Sequence, residues 1–274
     1  MTVQTLPHHF DLINEANHPV INVNGSRVCL DTGSPFTFKH PLGPESFRIF
    51  GQEVRLPEIP APRGHMEAGS EMLGFHFDVL LGMDVMAPLA WRLDWAAGTA
   101  EAAPTLPDEE GTTWLPMSPS LGGMGMSCPS CHVNEGREVA LFDTGAQLSY
   151  RIGTTPGTAR EAGESRDFNP QLGIFETPVW EDDLTIGGHT LTVRFGQLPR
   201  LGAMMLGAMG VSWLLGSDLL HAFRVTLDFP GRRVGLRPQE ATRLFPPSSP
   251  SPNPRPGGSW SSRQPTSGAV PAPG

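Results

Sequence analysis

The chain has 274 residues and a net charge of −9, and its 19 Lys and Arg residues form no basic block, so we expect no nucleic-acid partner. The longest apolar stretch, residues 201–220, is interrupted by glycines and by Asp218, so we expect no membrane span. The first residues show no basic region followed by an apolar stretch, so we expect no secretory signal and a cytoplasmic protein. Abundant Gly and Pro between short alternating apolar runs favour an all-β fold.

The first half of the chain places an Asp-Thr-Gly motif at the end of a predicted hairpin. Residues 19–30 alternate in polarity around Asn24-Gly25, which predicts two strands joined by a tight turn. The second of these strands leads directly into Asp31-Thr32-Gly33-Ser34. Another hairpin is predicted over residues 47–56, and a closing segment at residues 80–86, with the pattern Leu-Leu-Gly-x-Asp, precedes a strand at residues 92–95.

The second half repeats these features in the same order. A predicted hairpin over residues 132–142 leads into Asp143-Thr144-Gly145-Ala146, 112 positions after the first motif. A second hairpin is predicted over residues 184–195, and the closing segment at residues 214–220 precedes a strand at residues 226–229. This recurrence indicates an internal duplication. Because the closing segments lie 134 positions apart, the second half carries about 22 extra residues, within residues 152–180.

The doubled pattern resembles the retropepsin/pepsin superfamily of aspartic proteases, over about residues 19–238. The chain looks like two compact retropepsin-type halves fused in one polypeptide. The resemblance implies an all-β, two-lobed acid-protease fold with pseudo-twofold symmetry. On this basis we assign residues 1–103 to an N-terminal lobe, 104–127 to an inter-lobe linker and 128–241 to a C-terminal lobe. Residues 242–274 form a Pro-, Ser- and Gly-rich tail that we expect to be disordered.

The resemblance also implies roles for the matching residues. Asp31 and Asp143 would be the catalytic dyad. Six residues would support the active site, namely Thr32, Gly33, Ser34, Thr144, Gly145 and Ala146, and four would pack behind its loops, namely Leu81, Gly82, Leu215 and Gly216. The two threonines would exchange hydrogen bonds across the pseudo-twofold axis, since a buried hydroxyl needs a partner. A side chain in place of Gly33 or Gly145 would crowd the neighbouring carboxylate.

The predicted chemistry follows from two carboxylates in contact. Two such groups cannot both ionise cheaply, so the pair holds one proton. The ionised member takes a proton from a bound water while the protonated member polarises the scissile carbonyl. We hypothesise that the Ser34 hydroxyl donates a hydrogen bond to Asp31, which Ala146 cannot do for Asp143. On this hypothesis Asp31 is mainly ionised and Asp143 mainly protonated.

An aspartic protease also needs a hairpin that closes over its substrate. The first half leaves little room for such a flap between Asp31 and Gly51. The extra residues of the second half predict a single flap within residues 153–178, just after Tyr150, the only tyrosine of the chain. An irregular surface insertion is the alternative interpretation of the same residues.

We interpret the cysteines, the histidines and the acidic residues outside the Asp-Thr-Gly motifs as structural and not catalytic. Cys128-Pro129-Ser130-Cys131-His132 matches the haem-attachment spacing, but without an export signal we expect two ordinary thiols, with a Cys128–Cys131 disulfide left open. We expect Cys29 to be a small buried hydrophobe. The histidines show no ligand spacing, so we expect no metal and no cofactor. We interpret Glu181-Asp182-Asp183 as a solvated turn, and Asp84 and Asp218 as structural residues at the start of short helices.

The sequence thus predicts a monomeric aspartic endopeptidase that hydrolyses extended peptide or protein substrates with a water activated between two Asp carboxylates. The alternative is a catalytically inactive retropepsin-like module that binds peptides without cutting them. Two intact Asp-Thr-Gly motifs favour the enzyme, whereas the missing first-half flap favours the binding module. Homodimerisation, with each lobe pairing with its equivalent in another molecule, is a third possibility.

Overall fold

A computed structural model describes residues 7–118 and 129–239 of the chain, and the predicted all-β class is confirmed. We refer to residues up to 103 as the first half and to those from 128 as the second half. The first half consists, in order, of β1 (His8–Glu15), β2 (His18–Val23), β3 (Ser26–Leu30), β4 (Phe38–Lys39), β5 (Ser46–Ile49), β6 (Gln52–Arg55), α1 (His65–Leu73), β7 (Val79–Leu81), α2 (Met83–Met86), β8 (Ala90–Asp94) and β9 (Thr99–Ala103).

A short strand, β10 (Thr113–Pro116), lies between the halves, within the predicted linker. The second half then consists of β11 (Ser130–Val133), β12 (Glu138–Phe142), β13 (Ser149–Arg151), β14 (Arg160–Asn169), β15 (Gly173–Ile186), β16 (His189–Gln197), α3 (Arg200–Ala208), β17 (Trp213–Leu215), α4 (Leu219–Ala222), β18 (Phe223–Asp228) and β19 (Arg233–Pro238).

Tight turns form where the sequence places Asn-Gly and Gly-Gly pairs. The β2–β3 turn has φ of 53° at Asn24 and 89° at Gly25, and the β15–β16 turn has φ of 60° at Gly187 and 78° at Gly188. Two-residue hairpin turns of this type need positive φ at both central positions, which Asn and Gly tolerate best. The predicted hairpins over residues 19–30, 47–56 and 184–195 are confirmed by the antiparallel pairs β2–β3, β5–β6 and β15–β16.

Each Asp-Thr-Gly motif emerges from a strand that runs parallel to the closing strand of its half. β3 pairs with β7, which brings Leu30 opposite Leu81, and β12 pairs with β17, which brings Phe142 opposite Leu215. On their other edges, β7 pairs with β4 and β17 pairs with β13, both antiparallel. All residues of β7 and β17 are buried, as is typical of strands covered on both faces. Both motifs are therefore held at the ends of interior strands.

One sheet contains strands from both halves of the chain. Its ten strands follow the order β10-β19-β18-β8-β9-β1-β2-β3-β7-β4, and the halves meet where β18 pairs antiparallel with β8, with Val225 opposite Leu93. A seven-stranded sheet in the order β11-β12-β17-β13-β16-β15-β14 belongs to the second half. A single buried cluster includes Leu30 and Phe142, the residues that precede the two motifs. The hydrophobic core is thus continuous between the halves.

Two helices have no counterpart in the sequence predictions. α1 precedes β7 and α3 precedes β17, so they occupy equivalent places before the closing strand of each half. Within residues 7–118 and 129–239, no helix has the length and apolar character needed to cross a membrane. The predicted disordered tail at residues 242–274 lies outside the described residues.

Candidate active site

The closing segment of each half, residues 80–86 and 214–220, holds both ends of an Asp-Thr-Gly loop through backbone hydrogen bonds. At the start of the loops, the Asp31 N–H donates to the Leu81 carbonyl over 3.0 Å, and the Asp143 N–H donates to the Leu215 carbonyl over 2.9 Å. At the far ends, Met83 N–H donates to Ser34 and Ser217 N–H donates to Ala146, each over 2.9 Å. The two carboxylate-bearing loops are therefore fixed in the same way by equivalent residues.

A side-chain hydroxyl accepts a hydrogen bond from the backbone N–H of Gly82 and, in the second half, from that of Gly216. Thr37 Oγ1 accepts a 3.0 Å bond from the Gly82 N–H and donates over 2.6 Å to Asp84. In the second half, Ser149 Oγ accepts a 3.0 Å bond from Gly216 and donates over 2.8 Å to Asp218. A Cβ at Gly82 would lie 2.3 Å from the Phe36 carbonyl oxygen, and one at Gly216 would lie 2.7 Å from that of Ala146. Asp84, in the first turn of α2, and Asp218, at the N-terminal cap of α4, therefore support the loops structurally.

The two threonines join the halves beneath the carboxylates. Thr32 Oγ1 donates to the Phe142 carbonyl over 2.8 Å and accepts from the Thr144 N–H over 3.0 Å. Thr144 Oγ1 donates to the Leu30 carbonyl over 2.8 Å and accepts from the Thr32 N–H over 3.1 Å. Both side chains are buried, so all four bonds form away from water. The arrangement sets the relative position of the two loops.

Each carboxylate lies against the glycine of the opposite motif. A Cβ at Gly33 would lie 2.4 Å from Asp143 Cγ, and a Cβ at Gly145 would lie 2.4 Å from Asp31 Cγ. Any side chain at these positions would therefore collide with a carboxyl group. The two carboxyl groups are themselves hydrogen-bonded to each other. The structure thus brings together all the residues that the sequence assigns to the dyad and its support.

The pair retains a proton because it is buried and because its members have like charge. Burial raises the pKa of Asp31 above its ordinary value of 3.8, while hydrogen bonds from Asp143 and from the Gly33 and Ser34 N–H groups favour its charged form. Burial raises the pKa of Asp143 well above 3.8, and the charge of Asp31 raises it further. Asp31 Oδ1 accepts backbone N–H bonds of 2.8 and 3.0 Å, from Gly33 and Ser34. Asp143 Oδ1 accepts an equivalent bond of 3.0 Å from the Gly145 N–H, so backbone donors serve both carboxyl groups and the proton belongs to the pair.

The Ser34 hydroxyl does not make the hydrogen bond that the sequence predicts. Ser34 Oγ donates over 2.7 Å to the carbonyl of Phe36, two residues along its own loop, as serine hydroxyls commonly do with neighbouring backbone groups. The contribution of Ser34 to Asp31 is its backbone N–H instead. The asymmetry predicted from the Ser34 hydroxyl is therefore wrong, and the assignment of the charge to Asp31 and the proton to Asp143 stays a prediction.

A long hairpin, β14–β15, lies where the sequence predicts the flap. The strands pair from Arg160–Glu181 to Asn169–Gly173, with an irregularity between Glu161 and Gly163. Its turn reaches helix α1 of the first half, where His65 Nδ1 donates to the Pro170 carbonyl over 3.2 Å. The inserted residues are therefore an ordered hairpin that spans from the second half to the first.

A buried acid near the turn of this hairpin, Asp167, was not identified from the sequence. The Asp167 carboxylate accepts hydrogen bonds from the Tyr150 hydroxyl, from Gln147 Nε2 over 2.8 Å and from the Phe168 N–H over 2.7 Å. Burial raises the pKa of Asp167 to about 6, with a smaller contribution from the charge of Asp143. Nothing in the local sequence marks Asp167, because its neighbours in space come from the loop after the second motif.

The remaining sequence patterns have no catalytic arrangement in the described residues. Burial raises the pKa of the Cys131 thiol to about 12, and burial also raises that of Cys29 well above its ordinary value, so both are neutral thiols. Cys128 lies outside the described residues. Within residues 7–118 and 129–239, no three or more His, Cys, Asp or Glu side chains are grouped as metal ligands would be. The predicted solvated turn at residues 181–183 is wrong, since these residues lie inside β15.

No family model and no curated protein matches this chain. Among solved structures, the crystal structure of an aspartic proteinase from Irpex lacteus is similar, with a TM-score of 0.49 and 11% sequence identity over 85% of this chain and 97% of that chain. A likeness of this degree does not define an activity. The function is therefore argued from the geometry of the site.

Proposed function

We propose that this protein is an aspartic endopeptidase whose catalytic dyad is Asp31 and Asp143. The observation that supports the proposal is the contact between two buried carboxyl groups, each held against the glycine of the opposite Asp-Thr-Gly loop. A buried structural acid is held by a cation or by hydrogen-bond donors, as Asp218 is by the Ser149 hydroxyl. A pair of carboxyl groups that share one proton is instead an acid and a base placed side by side.

The chemistry needs one proton on the pair and a water between the two groups and the substrate. Asp31 accepts a proton from the water as the water oxygen attacks the peptide carbonyl carbon, and Asp143 donates its proton to the carbonyl oxygen. The tetrahedral diol collapses as Asp31 gives its proton to the peptide nitrogen and the C–N bond breaks, while Asp143 takes a proton from one diol hydroxyl, which leaves the new carboxyl group and the amine. The pair then again holds one proton. No covalent enzyme intermediate forms in this scheme.

The proposed substrate is an extended segment of a peptide or protein. Such a segment would lie between the dyad and the β14–β15 hairpin, which acts as the single flap, and would form strand-like backbone hydrogen bonds. Because both carboxylates come from one chain, a monomer supplies the whole site. The scheme requires no metal and no cofactor.

The proposal is tested with a library of quenched fluorescent peptides, incubated with the protein from acidic to neutral pH. We expect cleavage by the wild type and its loss in both Asp31→Asn and Asp143→Asn, with a bell-shaped pH–rate profile. Asp11→Asn, a change of the same kind at an exposed position of β1, is the matched control and should cleave normally.

Two outcomes would count against endopeptidase activity. Wild-type protein that cleaves no peptide, and whose melting temperature is not raised by pepstatin, would contradict the proposal. Peptide binding without cleavage would favour the catalytically inactive binding module, for which the absence of a second flap in the described first half is the supporting observation.

A further inference from the structure

The buried carboxyl group of Asp167 is bonded to the segment that follows the second Asp-Thr-Gly loop. Gln147 Nε2 donates to Asp167 Oδ1 over 2.8 Å, and the Tyr150 hydroxyl donates to the other carboxyl oxygen. Gln147 and Tyr150 lie four and seven residues after Asp143. Asp167 itself is only 5% exposed. An acid of the β14–β15 hairpin is therefore built into the second-half side of the candidate active site.

The hydrogen-bond donors around Asp167 are neutral. Besides the amide and the phenol, the Phe168 N–H donates to Asp167 Oδ1 over 2.7 Å. Arg166, the adjacent cation, is largely exposed, and its Nε lies 3.9 Å from Glu176 of the opposite strand. Because the donors bring no positive charge, the ionised carboxyl group of Asp167 acts on its surroundings as a negative charge in a region poor in water.

Two titratable groups among the described residues face Asp167 from the elements packed against it. Tyr150 of β13 stays neutral, because burial raises the pKa of its hydroxyl far above its ordinary value. Asp143 of the second loop is within electrostatic range of Asp167. Across the hairpin Asp167 pairs with Phe175, which carries no charge, and His65 of helix α1 bonds to a carbonyl in the hairpin turn. Asp143 is therefore the acid on which a charge at Asp167 acts.

The equivalent positions of the first half lack the donors that hold Asp167. At the spacing of 112 residues, Pro35 and Phe38 stand where the second half has Gln147 and Tyr150. Neither of these two side chains carries a hydrogen-bond donor, so they cannot hold a buried carboxylate in the same way. The backbone donors to the two carboxyl groups of the pair are alike, whereas the third acid lies on the second-half side only.

We propose that Asp167 is a positioning residue whose buried negative charge holds the shared proton of the pair on Asp143 and thereby extends cleavage toward higher pH. This inference rests on the proposed endopeptidase function and adds the regulation of its site by pH. A negative charge beside a carboxyl group disfavours the ionised form of that group, so the pair loses its last proton at a higher pH. Burial raises the pKa of Asp167 to about 6, so the effect develops as the pH rises through 6.

The test is the pH dependence of kcat/KM on one quenched fluorescent peptide, for the wild type and Asp167→Asn. Asparagine keeps the shape of the side chain and an oxygen acceptor for Tyr150, but it has no charge. We expect the basic limb of the profile to move down by about 0.5–1 pH unit, with a smaller effect on the acid limb, where Asp167 is protonated. A role of Asp167 in packing alone would lower the rate without moving the limb.

Two further variants serve as controls. Glu164→Gln removes an exposed acid from the same strand of the hairpin and should leave the basic limb in place, since water and salt screen an exposed charge. Gln147→Ala removes the bonds from Gln147 to Asp167 and to the Arg166 carbonyl but keeps the charge of Asp167. It should therefore lower the rate without moving the basic limb down.

A second measurement does not depend on cleavage. The protein is isotope-labelled at the aspartate carboxyl carbons, and an NMR titration follows Asp143, whose signal is identified by its absence from Asp143→Asn. In Asp167→Asn, the Asp143 carboxyl group should lose its proton at a pH about 0.5–1 unit lower than in the wild type.

An Asp143 titration that is unchanged in Asp167→Asn would overturn the inference, as would an unmoved basic limb in an active enzyme. The same downward shift of the limb in Glu164→Gln or in Gln147→Ala would also overturn it, because total charge or a looser hairpin would then explain the change. If the wild type cleaves no peptide but the Asp143 titration moves as expected, the endopeptidase is contradicted while the effect of Asp167 on Asp143 is supported.

Discussion

The substitution Thr144→Val most directly tests the hydrogen bonds that Thr32 and Thr144 form between the two halves. Valine has nearly the shape of threonine but no hydroxyl, so the change removes the bond to the Leu30 carbonyl and the acceptor of the Thr32 N–H. Both backbone groups are then left without that partner in a region closed to water. Thr144→Ser is the matched control, because it keeps the hydroxyl and removes a methyl group.

The expected loss of stability follows from the two orphaned groups. A buried polar group without a partner costs about 1–3 kcal/mol, so Thr144→Val should lower the free energy of unfolding by about 4 kcal/mol. Thr144→Ser should cost about 1 kcal/mol, since it removes one buried methyl group. Thr32→Val removes the partner of the Phe142 carbonyl and of the Thr144 N–H, so by itself it should cost a similar amount. Because the two threonines bond to each other, the double variant should depart from the sum of the two losses.

Urea unfolding followed by tryptophan fluorescence measures these differences. The chain has 6 Trp residues, and Trp91 and Trp213 lie fully buried in the core of the first and second half, so both halves report. If Thr144→Val unfolds at the same urea concentration as Thr144→Ser, the hydrogen bonds of the Thr144 hydroxyl to the first half do not stabilise the protein. Peptide cleavage should also fall in the valine variant, because the two carboxylates lose their fixed relative position.

Three further outcomes are expected. In the Phe168→Ala background, Gly69→Ala should raise the free energy of unfolding by up to about 1 kcal/mol, because alanine forms helix better than glycine. In the wild type the new Cβ would meet the Phe168 ring, so no gain is expected, and equal gains in urea unfolding would contradict the contact between Gly69 and Phe168. Ser34→Ala should leave the acid limb of the pH–rate profile in place, because its hydroxyl bonds a carbonyl, and an upward shift would contradict this geometry. The pKa of Asp167 is raised from 3.8 to about 6 in the folded state, so its protonated form stabilises the fold at low pH and that stabilisation is lost as the pH rises through 6. The free energy of unfolding of Asp167→Asn, measured in urea relative to the wild type, should therefore increase by about 3 kcal/mol between pH 4 and pH 7.5. A difference between the two proteins that does not change with pH would contradict the raised pKa of Asp167.

Local sequence signals were sufficient for the hairpins and for the residues of the candidate site. Asn24-Gly25 and Gly187-Gly188 define turns by their own backbone freedom, so the hairpins on either side could be predicted. The doubled Asp-Thr-Gly motif identified the two carboxylates because residues of one type recurred in one order.

Features that depend on contacts between distant segments could not be predicted. Helices α1 and α3 have nine residues each and contain internal glycines, so neither gives a strong helical pattern. The bonds around Asp167 arise only when β14 folds beside Tyr150. The Ser34 hydroxyl bonds to the Phe36 carbonyl, a backbone acceptor that the Asp-Thr-Gly-Ser motif does not indicate.

The pairing of β18 with β8 has a consequence for any attempt to separate the halves. A fragment that ends before β10 would expose the edge of β8, a strand whose five residues are all buried in the whole chain. An uncovered strand edge presents unpaired backbone N–H and C=O groups to another molecule, so such a fragment should self-associate. In the whole chain β18 covers this edge, so carrying both halves on one polypeptide keeps β8 from pairing with another molecule.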